Sequence, residues 1–268
     1  MADMSYVAPR GILPSISQPP SEATPSYICP LIGDLDMRGA SEPPQKLWQQ
    51  RESPDSLFCW AVVSNGYLTE EQMQRAAQRY HLGRSRDGGV IFWQIDTLGQ
   101  EYDGKIMYYR SDCHRDHGRH PQWVSNLLKC QFLKQFPEME VWMPAPCHCL
   151  FGTHLLTLSD GADNADNIAV VEAEKTAVIM SEHYPQYLWL AAGGLTELTA
   201  QKLFPLRGRR VILFPDTDPD CKAYTHWWTV AQEAHRLYQL GITVSSLLER
   251  RATREQKEAK IDLIDYLF

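Results

Sequence analysis

The sequence predicts an α+β unit followed by a C-terminal α/β unit built on a parallel sheet, and three observations predict it. Between residues 167 and 246, short apolar runs alternate with amphipathic segments, the rhythm of strands joined by right-handed helical crossovers. In the middle of the chain, segments 89–96 and 104–110 are rich in β-branched and aromatic residues and flank a glycine-containing turn, which predicts a hairpin with one face buried. Residues 1–55 carry nine of the 17 prolines, each fixing its own backbone and removing a donor, which predicts an extended arm.

Composition narrows the classes open to the chain. Its 268 residues are 44% hydrophobic and 22% charged, which fits a folded protein large enough for two modest domains. No apolar run approaches the roughly 20 residues needed to cross a bilayer, so no membrane partner is expected. The segment from Met1 to Tyr6 has no basic stretch leading into an apolar core, so the expected address is cytoplasmic. Seven irregularly spaced cysteines fit reduced thiols better than a disulfide framework. The net charge is −7, but residues 79–134 hold nine Lys/Arg against six Asp/Glu. A mildly basic middle beside an acidic remainder suits a polyanion-binding face next to a carboxylate-rich site.

Globular patterning begins at Ser56, and Thr69 is a candidate N-cap for a helix over 70–80. After the hairpin, the expected order is strand 167–172, helix 173–183, strand 187–191, helix 195–203, strand 210–214, helix 220–240 and strand 242–246. A short helix from Lys260 closes the chain. The expected domains are an arm (1–55), a basic α+β subdomain (56–150) and the α/β domain (151–268).

In a parallel sheet, functional groups collect where strands end and helices begin. Glu172 ends one strand, Asp216 and Asp218 end another, and Asp262 and Asp265 come from the closing segment. Oxygen-only clusters of this kind suit Mg²⁺ or Mn²⁺, which keep waters and share phosphate oxygens with a substrate. The bland alternative is that Asp216 and Asp218 form an Asp-Pro turn and cap the next helix.

The ordered set Val-Val-Glu172-Ala173-Glu174-Lys175, Ala-Ala-Gly193-Gly194 and Phe-Pro-Asp216-Thr-Asp218 resembles the Toprim family, the metal-binding domain of primases, topoisomerases and related nucleases. The closing Lys260-Ile-Asp262-Leu-Ile-Asp265-Tyr-Leu resembles the end of primase-type members. The resemblance implies a Rossmann-like α/β Toprim domain with a central parallel sheet, preceded by a smaller α+β primase-like domain. It further implies catalytic Glu172, Asp216 and Asp218, with Asp262 completing the metal set for Mg²⁺ or Mn²⁺. Ala173 stands where the family commonly has glycine, Thr176 stands where replicative primases often have an aspartate, and Pro219-Asp220-Cys221-Lys222 replaces the usual Ala-Gly. Neither a zinc-ribbon spacing nor a Walker A motif is present.

Upstream, Lys105, Arg110, Arg115 and Arg119 are candidate phosphate contacts, joined by Lys175, with Trp93, Tyr108, Tyr109 and Trp123 as stacking surfaces for unpaired bases. Cys113, His114, His117 and His120, with Cys147 to Cys149, lack the spacing of common zinc sites, which argues against zinc. The resemblance implies a primase-like protein of a mobile element, acting on single-stranded DNA with nucleotide triphosphates and a helicase or relaxase partner. A metal-dependent nuclease and a non-catalytic DNA-binding accessory protein are the alternatives, Thr176 being the argument for the last.

Overall fold

A computed structural model describes residues 51–135, 137, 148–158 and 167–268. The expected arm lies almost wholly outside the described residues. The first helices are α1 (Leu57–Ser64) and α2 (Glu70–Arg79). Thr69 and Gln72 form the reciprocal cap that opens α2, so the expected start is met. An antiparallel sheet follows, of β1 (Gly83–Arg84), β2 (Val90–Ile95), β3 (Glu101–Met107) and β4 (Gln122–Trp123), in the order β1-β2-β3-β4. Helix α3 (Val124–Gln135) leads away from it.

The β2–β3 hairpin turns where expected, with the Asp96 carboxylate accepting from the Leu98 and Gln100 N–H groups. The expectation of one buried face is corrected: every residue of β2 is buried. Val90 and Phe92 pack into a core with Phe58, Tyr80 and Phe151, while Ile91, Trp93 and Ile95 pack with Ile106 and Val124 on the other face. Helix α3 covers the face expected to meet solvent, through Val124 and Leu128. Gly104 faces Trp93 across the hairpin, and a Cβ there would stand 2.6 Å from the indole, so only glycine fits.

After the short helix α4 (Leu155–Leu158) comes a parallel sheet of β5 (Asn167–Val171), β6 (Leu188–Ala191), β7 (Arg210–Phe214) and β8 (Ile242–Val244), ordered β6-β5-β7-β8. The intervening helices are α5 (Glu174–His183), α6 (Ala200–Leu203) and α7 (Lys222–Tyr238), and the chain ends with α8 (Leu247–Arg251), α9 (Arg254–Ala259) and α10 (Leu263–Leu267). Residues 168–171 are buried on both faces, which explains their unbroken apolar run. Ala169 and Val171 face the core shared with α1, α2 and α5, whereas Ile168 and Val170 face the core under α7. Trp227, Val230, Ala231 and Ala234 supply the buried stripe of α7 at helical spacing.

Three further expectations are corrected. The helix expected over 195–203 is a 3₁₀ turn at Leu195–Glu197, an extended Leu198 and then α6, because the Thr199 hydroxyl caps a fresh start at Lys202 N–H. The helix expected from 220 begins at Lys222, since Cys221 holds a left-handed conformation (φ 54°). Lys260 does not open the last helix; with φ 55° it ends α9, and Asp262 caps α10. Among the described residues no helix is long and apolar enough to cross a membrane.

Candidate functional site

β5 and β7 are hydrogen-bonded neighbours, with Val171 opposite Phe214, so the residues that follow them leave the sheet at one edge. Glu172 and Asp216 therefore emerge side by side. The third strand end brings Gly193 (φ 90°) and Gly194 (φ 153°), and the Gly193 N–H donates to the Glu172 carbonyl at 2.9 Å. The left-handed backbone of Gly193 is one that a residue with a Cβ rarely adopts. Thr217 N–H donates to Ile261 O at 3.2 Å, tying the Asp216 loop to the start of α10 and so bringing Asp262 in.

These acids divide into two kinds. Burial pushes the Asp216 carboxyl well above the usual range, and the charges of Glu172, Asp262 and Asp265 push it the same way against the pull of Lys175. Burial likewise raises Glu172, with Asp262 and Asp218 adding to it, although the Leu195 N–H and Lys105 oppose. Burial also pushes Asp218 up, yet the N–H groups of Ala223, Lys222 and Asp220 outweigh it and hold that carboxyl below its ordinary value. Asp218 thus caps α7, as the alternative sequence reading had it. Asp262 caps α10 through the N–H groups of Ile264 and Asp265 and accepts from the Thr176 hydroxyl at 2.8 Å.

A cleft of about 210 Å³ opens beside these groups, lined by Glu172, Lys175, Gly193 and Asp262 on one side and by Lys105 and Arg115 on the other. Two of the expected phosphate contacts line this cleft and already have carboxylate partners. Lys105 does not lie on an open surface: its Nζ donates to the Gly193 carbonyl and to Glu174 Oε1 at 3.1 Å, and both charged groups are buried. Lys175 is buried too, 3.7 Å from Asp262, which with Asp265 outweighs burial and keeps its ammonium strongly charged.

The basic segment is dispersed. Arg115 is exposed at the cleft. Arg110 is exposed and paired with Asp112 at 2.7 Å. Arg119 lies 3.4 Å over the Tyr108 ring and pairs with Asp87. Trp93 is fully buried, so it offers no face for base stacking, and Tyr108 and Tyr109 are buried as well. Trp123 already stacks on His148, with ring centroids 3.9 Å apart. Of the cysteine and histidine set, Cys113 is buried with its thiol pushed up to about 11, chiefly by burial, and Cys147 lies outside the described residues.

Among the described residues no group of three or more His, Cys, Asp or Glu side chains is placed to hold a metal ion. The donor chemistry nevertheless fits a hard cation. Glu172 and Asp216 are oxygen donors crowded by other negative charge, the arrangement that a Mg²⁺ held by one or two carboxylates, waters and substrate phosphate would relieve. Sequence reasoning missed two residues here. Glu174 anchors Lys105 across 69 positions and has no local signature, but Lys105 shares its strand face with core residues Met107 and Tyr109, which marks it as inward. Thr176 reads as a lost carboxylate, whereas its hydroxyl fixes Asp262.

The chain belongs to the family described as a domain of unknown function (DUF6371), whose model matches residues 60–217. That span contains Glu172, Gly193 and Asp216 and ends just before Asp218. Nothing among the curated proteins matches the chain. Among solved structures it is similar to the primase fragment of the bacteriophage T7 primase-helicase protein, at 16% identity and a TM-score of 0.42, over 78% of this chain and 73% of that one.

Proposed function

We propose that this DUF6371 protein is a divalent-cation-dependent enzyme of phosphoryl transfer on nucleic acid, with a Toprim-like carboxylate site and a primase-like reaction on single-stranded DNA. The observation that carries the reading is the emergence of Glu172 and Asp216 from adjacent parallel strands, both held above their ordinary proton affinity. A Mg²⁺ or Mn²⁺ bound there supplies neutralisation of charge at the reacting phosphate. Glu172 and Asp216 are the residues that would hold it. Asp218 secures their loop to α7, and Asp262, fixed by Thr176, closes the far side. Lys105 keeps the glycine turn against the cleft by gripping the Gly193 carbonyl, and Lys175 balances the acids from within. Arg115, exposed at the mouth, is the residue placed to meet a strand phosphate.

The same carboxylates serve hydrolysis when water replaces a sugar hydroxyl, so a nuclease is the second reading. One incubation separates the two: labelled single-stranded DNA, all nucleotide triphosphates and Mg²⁺ or Mn²⁺, resolved on a denaturing gel beside Asp216→Asn. New short oligomers lost in the variant support the primase-like reaction. Cleavage of the input lost in the variant supports the nuclease, and activity retained in the variant contradicts the site.

A further inference from the structure

The antiparallel sheet has a second concave face. Alternation along β3 sends Lys105 and Met107 into the carboxylate cleft and Ile106 to the opposite side, where a cavity of about 300 Å³ lies between the sheet and α3. Ile91 and Ile106 form its floor over the fully buried Trp93, and Leu127, exposed at the mouth, stands on the α3 wall. Arg51, Arg84 and Arg86 stand at the rim, all exposed, and none has a carboxylate partner among the described residues. The acid in the lining, Asp87, is engaged elsewhere: it accepts from the Ser85 hydroxyl at 2.6 Å, from the Tyr108 hydroxyl at 2.8 Å and from Arg119.

A second observation points the same way. Trp93 is fully buried, yet its indole Nε1 has no hydrogen-bond partner among the described residues. It presses on Gly83, next to Arg84, so closely that a Cβ would stand 2.7 Å from it. A buried donor without a partner costs stability and persists where something else offers an acceptor or the site is kept for function.

Uncommitted guanidinium groups select phosphate by their planar fork, and an apolar wall takes a flat ring. The volume is at the lower end of the range for small-ligand sites. We propose that this cavity binds a nucleoside phosphate, with the phosphate on Arg51, Arg84 and Arg86 and the base against Ile91, Ile106 and Leu127. Among the described residues Asp87 is the one carboxylate of the lining, and it is committed, so binding is expected to persist when metal is chelated. It is separate from the carboxylate cleft and does not depend on the reaction proposed there. The ligand is either a free mononucleotide or the phosphorylated end of a strand.

Calorimetric titration of the full chain in a chelator-containing buffer tests this, with ADP, a 5′-phosphorylated thymidine dinucleotide and a tri-glutamate peptide as probes. Arg84→Ala/Arg86→Ala should weaken nucleotide binding by about tenfold or more. Loss of ADP binding identifies a free nucleotide, and loss of dinucleotide binding alone identifies a strand end. Leu127→Asp, at the exposed mouth, should weaken the same ligand and keeps the test decisive if the arginine variant does not fold. Absence of saturable binding by both nucleotides, binding unchanged in both variants, or equal affinity for tri-glutamate would overturn the proposal.

Discussion

Asp216 and Asp218 stand two positions apart in one loop and yet have opposite proton affinities. The N–H groups of Asp220, Lys222 and Ala223 stabilise the charge on Asp218, whereas the half-buried Asp216 faces the charges of Glu172, Asp262 and Asp265. A carboxyl raised in the folded state binds more protons folded than unfolded, so it costs stability increasingly as pH climbs above the ordinary carboxylate range. Asp216→Asn removes that cost. In metal-free buffer at neutral pH the variant should melt a few degrees above the parent, and added Mg²⁺ should stabilise the parent only; calorimetric melting of both proteins checks this. Asp218→Ala should do the reverse, losing about 1 kcal/mol through the uncapped start of α7, as read by urea unfolding. The motif spacing was enough to place Glu172 and Asp216 together at the sheet edge. It could not separate Asp218 as a cap, because that depends on the left-handed Cys221 turning the following N–H groups back toward the carboxylate. Trp93 was misread for a related reason: an aromatic in a strand has two faces to choose from, and only the packing of α3 settles that both are covered.

At the scale of elements, the parallel strands were legible from their apolar runs, and β7 was placed to the residue, its Val211-Ile-Leu-Phe214 run being apolar throughout although only Val211 and Leu213 are fully buried. The segment after β6 was not, because Leu198 and Thr199 interrupt a stretch whose composition is helical. His154, in the turn just before α4, meets the end of α2, its Nε2 lying 3.0 Å from the Arg79 carbonyl. Burial pulls the pKa of His154 down to about 4, outweighing the Arg79 carbonyl, so the folded protein keeps it neutral. The unfolded chain then binds the extra proton, and stability that is full above about pH 6.5 falls as pH drops toward 4, by roughly 3 kcal/mol at most. His154→Gln should flatten that slope in urea unfolding measured at pH 7 and pH 5; an unchanged slope would mean that His154 is not the group responsible.

Across the whole molecule, one core joins the two sheets. Phe58, Tyr80 and Phe92 from the first half pack with Ala169, Val171 and Trp189 from the second, and the Tyr80 hydroxyl donates to the Trp189 carbonyl at 2.8 Å. Phe92→Ala should therefore cost about 3–5 kcal/mol and shift the tryptophan and far-ultraviolet transitions together. Separate transitions would show two independent units. The shared core also fixes the hairpin's Lys105 and the neighbouring Arg115 over the strand ends, so the cleft is a product of both halves. The claim on which the functional reading stands is that Glu172 and Asp216 hold one divalent cation, and titration of Mn²⁺ into the full chain followed by calorimetry tests it most directly. The account predicts saturable binding that Glu172→Gln and Asp216→Asn each abolish and that Thr176→Val weakens. Binding of unchanged affinity in both carboxylate variants would contradict it.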